Sequence, residues 1–247
     1  MIHAIHCHCP IRISPQDSRR AALEENPQNA QTDRSNRKKR SLGYTNKFWS
    51  PGRLLRISFI NQASKPLKTA IVEAASKWLE FANLKFRLVG DRYSYAEIKI
   101  YVTDDAKTNY SMFGTDALRA ADASMVLGVK PDMENFERVV IHEFGHALGM
   151  EHEHQHPDAD IPWDIPKVYE HYAALGADKE TVDESVLNKV SGSNITKLPY
   201  DRTSIMHYPV DQALTLGDWE VTTNSEISEK DKAFMRLAYP FPEQPTR

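Results

Sequence analysis

A chain of 247 residues with 40% apolar content can bury the core of one large domain or two small ones. It contains no run of about 18 apolar residues, the length that a membrane-spanning helix needs. The net charge of -3 is uneven: residues 1–43 carry eight Lys or Arg against four Asp or Glu, which leaves -7 for the remainder. A mildly acidic body speaks against nucleic acid as a partner.

Taken in order, residues 1–43 read as an appendage. From Ser14 to Arg40 the apolar residues are Ala21, Ala22, Leu23 and Ala30 alone, too few to keep such a stretch folded by itself. It is expected to be a disordered leader or a pro-segment. The run Arg37-Lys38-Lys39-Arg40 ahead of Ser41 is either a cleavage site for a basic-specific protease or a solvated linker. Cys7 and Cys9 are the only cysteines, so the body must fold without disulfides. With His3, His6 and His8 they make a cluster that has three readings. It is a metal-binding tract, a source of thiolate that blocks a metal site, or a tail that picks up metals adventitiously. The opening MIHAIHCHCP lacks the long apolar run of a signal peptide, which leaves the compartment open.

Regular structure is expected from Tyr44. Leu54–Ile60 reads as a strand between Pro51-Gly52 and Asn61. A helix follows over Pro66–Ala82, with Leu67, Ala70, Ile71, Ala74, Ala75, Trp78 and Leu79 on one stripe that suits packing on a sheet. Leu84–Val89, Ala96–Val102 and Met125–Val129 are further strands. Strands interleaved with a helix and followed by a second, buried helix over Phe136–Leu148 point to an α+β fold, a mixed twisted sheet with helices packed on it. Beyond it the pattern thins. His152–Trp163 is loop, Ile165–Leu175 and Val182–Val190 are short helices, Tyr200–Tyr208 is irregular, and Glu229–Leu237 is an amphipathic helix before a loose tail.

The chemistry is concentrated in Val139–His156, VVIHEFGHALGMEHEHQH, which fits H-E-x-x-H-x-x-G-x-x-H. His142 and His146, four apart on a helix, share one face, and Glu143 points beside them. Gly149 allows a positive φ, so the chain can leave the helix and return His152 as a third imidazole. Three neutral imidazoles with an open position are what a catalytic zinc requires. A bare H-E-x-x-H arises by chance as two surface histidines flanking a glutamate; the eleven-residue form behind Val139-Val140-Ile141 is far more specific.

About fifty residues further on comes Ser204-Ile205-Met206-His207-Tyr208. HEFGHALGMEH followed by SIMHY resembles the metzincin metalloproteases, and among them the astacin-like branch. HEHQHPDADIPWD, YDRTSIMHYP, SEKDKAFMRLAYP, FGTDAL at Phe113–Leu118 and NLKF at Asn83–Phe86 extend the likeness from about Tyr44 to Pro240.

The resemblance implies a zincin-like catalytic domain over 44–241 and a loose end at 242–247. The sheet and active-site helix form an N-terminal subdomain, the C-terminal subdomain is mostly irregular or helical, and the cleft lies between them. It also implies a zinc-dependent endopeptidase with one catalytic zinc ion on His142, His146 and His152. Glu143 is then the general base, and Met206 lies in the turn beneath the metal. Tyr208 is a possible fifth ligand that swings to the oxyanion. The partners are protein or peptide substrates, with neither nucleic acid nor membrane, and the chain acts as a monomer. The sequence departs from astacins proper in having no cysteine in the body. Glu153 is either a solvent-facing charge or a partner for a new N-terminus or an arginine, and His154, His156 and His207 are expected beside the ligands or at the surface. A catalytically silent binding protein is the alternative function, and the intact Glu143 and three histidines give it no support.

Overall fold

The computed structural model describes residues 9–30, 42–44, 46–93, 95–191, 195–196 and 198–243. His3, His6, Cys7, His8, the basic run 37–40 and the end of the tail at 244–247 lie outside the described residues.

The first element is one the composition does not suggest. Helix α1, Pro15–Glu25, starts at Ser14, whose hydroxyl caps the Asp17 amide with Pro15 in the first turn. It buries Ala21 and Ala22. A disordered reading therefore fails for residues 9–30, because the stretch folds on the body rather than alone. Asn26 Nδ2 donates to Trp49 O at 3.3 Å, Asn29 Nδ2 to Phe48 O at 3.0 Å, and Ser50 Oγ to Glu25 O at 2.8 Å. Arg119 pairs with Glu24 at 2.8 Å.

Strand β1, Gly43–Tyr44, pairs antiparallel with β7, Ile195–Thr196. The main sheet has five strands: β2 Leu54–Phe59, β3 Lys85–Leu88, β4 Ile98–Val102, β5 Tyr110–Ser111 and β6 Met125–Leu127. Their order is β3-β2-β4-β6-β5, parallel except for β5 at one edge. The expected helix after β2 is α2, Lys65–Ala75, and it tightens into a 3-10 turn over Ser76–Glu80. Strands β5, β1 and β7 are two residues each, too short to leave a period in the sequence.

Helix α3, Phe136–Ala147, packs against α2 beside the sheet. Val140, Ile141, Phe144, Ala147 and Leu148 join Leu55, Ile57, Phe59, Trp78, Ile98 and Ile100 in one core. Aromatic donors tie the helix to that core. Trp78 Nε1 donates to Ile141 O at 2.9 Å, Trp49 Nε1 to Ala147 O at 2.8 Å, and Tyr239 Oη to Leu148 O at 2.8 Å. The last two satisfy carbonyls that a helix end leaves without partners.

After α3 come α4, Ile165–Ala174, α5, Lys179–Val182, which passes into a π turn over Asp183–Leu187, and α6, Glu229–Ala238. The expected helix at Val182–Val190 thus lies earlier, begun by the Asp178 cap and ended at Asn188. A separate small core of Val168, Tyr172, Val182, Val186 and Leu214 holds this region.

Candidate active site

Helix α3 and the turn that ends it bring the three histidines together. Gly149 has φ +90°, and a Cβ there would press on the Phe48 ring. The reversal lets Met150 O accept from His146 Nδ1 at 2.9 Å and carries His152 back over the helix. The ligand-capable nitrogens of His142, His146 and His152 lie within 4.8 Å of one another, and all three residues are buried.

The donor set fits a zinc ion. His142 Nδ1 donates to Ile205 O at 2.9 Å, which leaves Nε2 to present a lone pair, and that atom is buried with no hydrogen-bond partner among the described residues. His146 Nε2 and His152 Nε2 face each other at 3.0 Å, and the His146 lone pair must point inward because Nδ1 is already a donor. Burial, and next the neighbouring His146, holds His142 well below the ordinary imidazole range, so it is neutral as a ligand must be. His152 Nδ1 lies 3.5 Å from a Glu151 oxygen, and Tyr44 and the His152 amide also hydrogen-bond that carboxylate.

Glu143 is fully buried on the same helix, one residue from His142. Met206 is also fully buried, with its sulfur against α3 at Gly145, where a Cβ would collide with it. Gly145 is a residue the motif alone does not single out. Its signal is a small residue inside the buried helix one position before His146. The Tyr208 ring is half-buried, 4.3 Å from the His152 ring and 6.1 Å from the His142 ring by centroids. It stacks on His154 at 4.4 Å and 15°. Phe113 meets the His146 ring edge-on at 5.1 Å.

The neighbouring histidines are buried, not superficial. His154 Nε2 donates to Ser185 O at 3.0 Å, His156 Nε2 to Leu198 O at 2.7 Å, and His207 shares a 2.7 Å hydrogen bond with Tyr200 Oη. Burial pushes His154 down to about 3 and His207 to about 4. Glu153 does not face solvent either. It is buried, accepts from Asp201 N at 2.9 Å, and is raised well above the carboxylate range by burial.

The family model for astacin, a peptidase family, matches residues 41–233. One solved structure of myroilysin is 34% identical at a TM-score of 0.76, covering 82% of this chain and 100% of that one. A second myroilysin structure is 35% identical at 0.58, covering 79% and 86%. High choriolytic enzyme 1, a hatching-enzyme zinc-protease from the medaka Oryzias latipes, is 18% identical at 0.54 over 79% of this chain and 95% of that one, a likeness of fold. A comparison with curated proteins finds no match. Fold, family match and histidine triad define a metzincin, a zinc-dependent metalloendopeptidase. Within that class, the chain belongs to the astacin family.

Proposed function

We propose that this enzyme cuts peptide bonds in protein or peptide substrates with one zinc ion held by His142, His146 and His152. The observation that carries the reading is the convergence of three buried imidazole nitrogens within 4.8 Å, with His142 Nε2 aimed inward and without a partner among the described residues. Bound there, zinc supplies a Lewis acid that polarises the scissile carbonyl and acidifies the attacking water. Glu143, next to His142 on α3, takes the proton of that water and delivers it to the leaving amine. The Tyr208 phenol, beside His152, donates to the oxygen on which charge develops. Met206 and Gly149 shape the site: one packs under α3, the other turns the chain.

The test is Glu143→Ala with zinc content measured on the same sample. Zinc should stay at one ion per chain while peptide cleavage falls by at least about 10²–10⁴-fold. Undiminished cleavage overturns the mechanism. Tyr208→Phe should lower kcat by about 10²–10³-fold and raise KM far less, since one oxyanion donor is lost. Equal activity would return Tyr208 to a packing role.

We also propose that the residues before Tyr44 are a pro-segment to a catalytic domain of 44–241. Cys9 lines a cavity of about 400 Å³ with Tyr44, Phe113, Glu151 and His152, so the segment reaches the mouth of the site. Burial raises the Cys9 thiol to about 11. Removing residues 1–40 should raise activity, and unchanged turnover would refute the restraint.

A further inference from the structure

The turn whose carbonyl receives His142 is itself held by a buried carboxylate from the far end of the chain. Asp231, in the first turn of α6, is 2% exposed. Its Oδ1 accepts from Ser204 Oγ at 2.6 Å, and its Oδ2 accepts from Ile205 N at 2.9 Å and Ser228 N at 3.0 Å. Ser204 Oγ in turn accepts from Met206 N at 3.0 Å. That amide and the Ile205 carbonyl belong to the same peptide group, and the Ile205 carbonyl accepts from His142 Nδ1 at 2.9 Å.

These contacts form one directed chain. Met206 N can only donate, so the single Ser204 hydroxyl proton goes to Asp231. Each bond polarises the next in the same sense. The carboxylate makes Ser204 Oγ a stronger acceptor, Ser204 draws on the amide, and the amide's own carbonyl becomes more negative toward His142. Ser204, Ile205, Met206 and His142 are all at most 4% exposed, so water does not compete for these groups. The other two histidines are held over shorter routes, His146 by Met150 O and His152 beside Glu151.

We propose that Asp231 is a positioning residue of the active site, acting through Ser204 and the 205–206 peptide to fix the tautomer of His142 and strengthen it as a metal ligand. The proposal rests on the reading of His142 as a ligand. Asp231 touches neither substrate nor metal. It has a second task, because with Ser228 it forms the capping box of α6. One carboxylate thus joins the start of the last helix to the first histidine.

The two tasks separate by mutation. Zinc affinity of the full chain is measured by competition with a chromophoric chelator, using zinc alone as the probe. Ser204→Ala removes the relay and leaves the cap, and should raise the zinc Kd about 10–100-fold, as loss of a partner behind a ligand does. Ser228→Ala removes the cap and leaves the relay; it should lower the unfolding midpoint and leave the zinc Kd within about twofold. Asp231→Asn keeps the shape but reverses the relay, because its amide would donate to Ser204, and its Kd should rise like that of Ser204→Ala.

In the metal-free chain, ¹⁵N NMR of the His142 ring should show a protonated Nδ1 in the parent and mixed tautomers in Ser204→Ala. General loosening of the fold does not predict that signature. If Asp231→Asn fails to fold, the Ser204 and Ser228 variants still decide the matter. A zinc Kd unchanged in Ser204→Ala, or weakened as much in Ser228→Ala, overturns the proposal. His142→Ala separates the underlying reading: if it binds zinc as tightly as the parent, His142 is not a ligand at all.

Discussion

From β2 to α3 the buried side chains are mostly apolar and the larger ones share one core, whereas from Glu151 to Asp231 more than half of the buried side chains are Glu, His, Gln, Ser, Thr or Asp. The cause is backbone accounting. In the first region the sheet and helix ladders satisfy the main chain, so side chains are free to be hydrophobic. In the second region fewer residues lie in ladders, and the buried amides and carbonyls outside them must find other partners. Side chains supply it: Gln155 serves Glu184 and Asn188, His156 serves Leu198, and Glu153 serves Asp201. The three histidines proposed as ligands straddle the boundary, with His142 and His146 on the apolar side and His152 on the polar side.

The largest test of this contrast is Trp78→Ala. Trp78 is fully buried, packs near Gly145 and Met206, and donates to Ile141 O inside the core. Truncating it should cost about 3–5 kcal/mol in urea unfolding, the range for a large aromatic lost from a core. A cost under about 1 kcal/mol would mean that the first region is not held by its apolar mass.

A smaller test probes one of the buried charges in the first region. Glu97 is 1% exposed, accepts from Arg56 N, Nε and an Nη at 2.6–2.9 Å, and pairs with Arg53 at 3.1 Å. Burial alone would raise its pKa, but the Arg56 hydrogen bonds outweigh it and hold the carboxyl below the ordinary value. A lowered folded pKa means that the unfolded state takes up the proton first. The stability from Glu97 is therefore present above its unfolded value of 4.5 and lost as pH falls through the lower folded value. Glu97→Gln should cost about 1.5–3 kcal/mol at neutral pH, and the deficit against the parent should shrink below pH 4.5. A deficit that does not change with pH would assign the loss to shape rather than charge.

How much can be read from the chain follows the same division. The stripe Ile71, Ala74, Ala75 and Trp78 places α2, the β2 and β4 strands are visible as alternation and apolar runs, and the motif spacing marks the buried α3 with Gly149 as its exit. Each is local. Helix α1 is not legible, because a polar segment with two buried alanines gains its stability from Asn26, Asn29 and Ser18 bonding to distant partners. His154, His156 and His207 read as neighbours of the ligands or surface residues, and their burial depends on carbonyls and a phenol that come close only after folding. Asp231 is 27 residues from Ser204, and no spacing rule links them.

The smallest of these effects sharpens the comparison most. Gln155 is 7% exposed; its side-chain amide donates to Glu184 O at 2.7 Å and Asn188 O at 2.9 Å, while its backbone carbonyl accepts from Val190 N at 2.8 Å. Replacement by Ala keeps the last bond and removes the first two, leaving two carbonyls short of a partner for about 1–2 kcal/mol in all. That energy should be lost locally, since the apolar support of the 183–190 segment among the described residues is the small core around Val186. Hydrogen exchange should quicken across 183–190 and stay unchanged in α3 and the sheet. A uniform rise across the chain would show that the two regions unfold as one unit, and the contrast between an apolar and a polar interior would then describe composition without describing cooperativity.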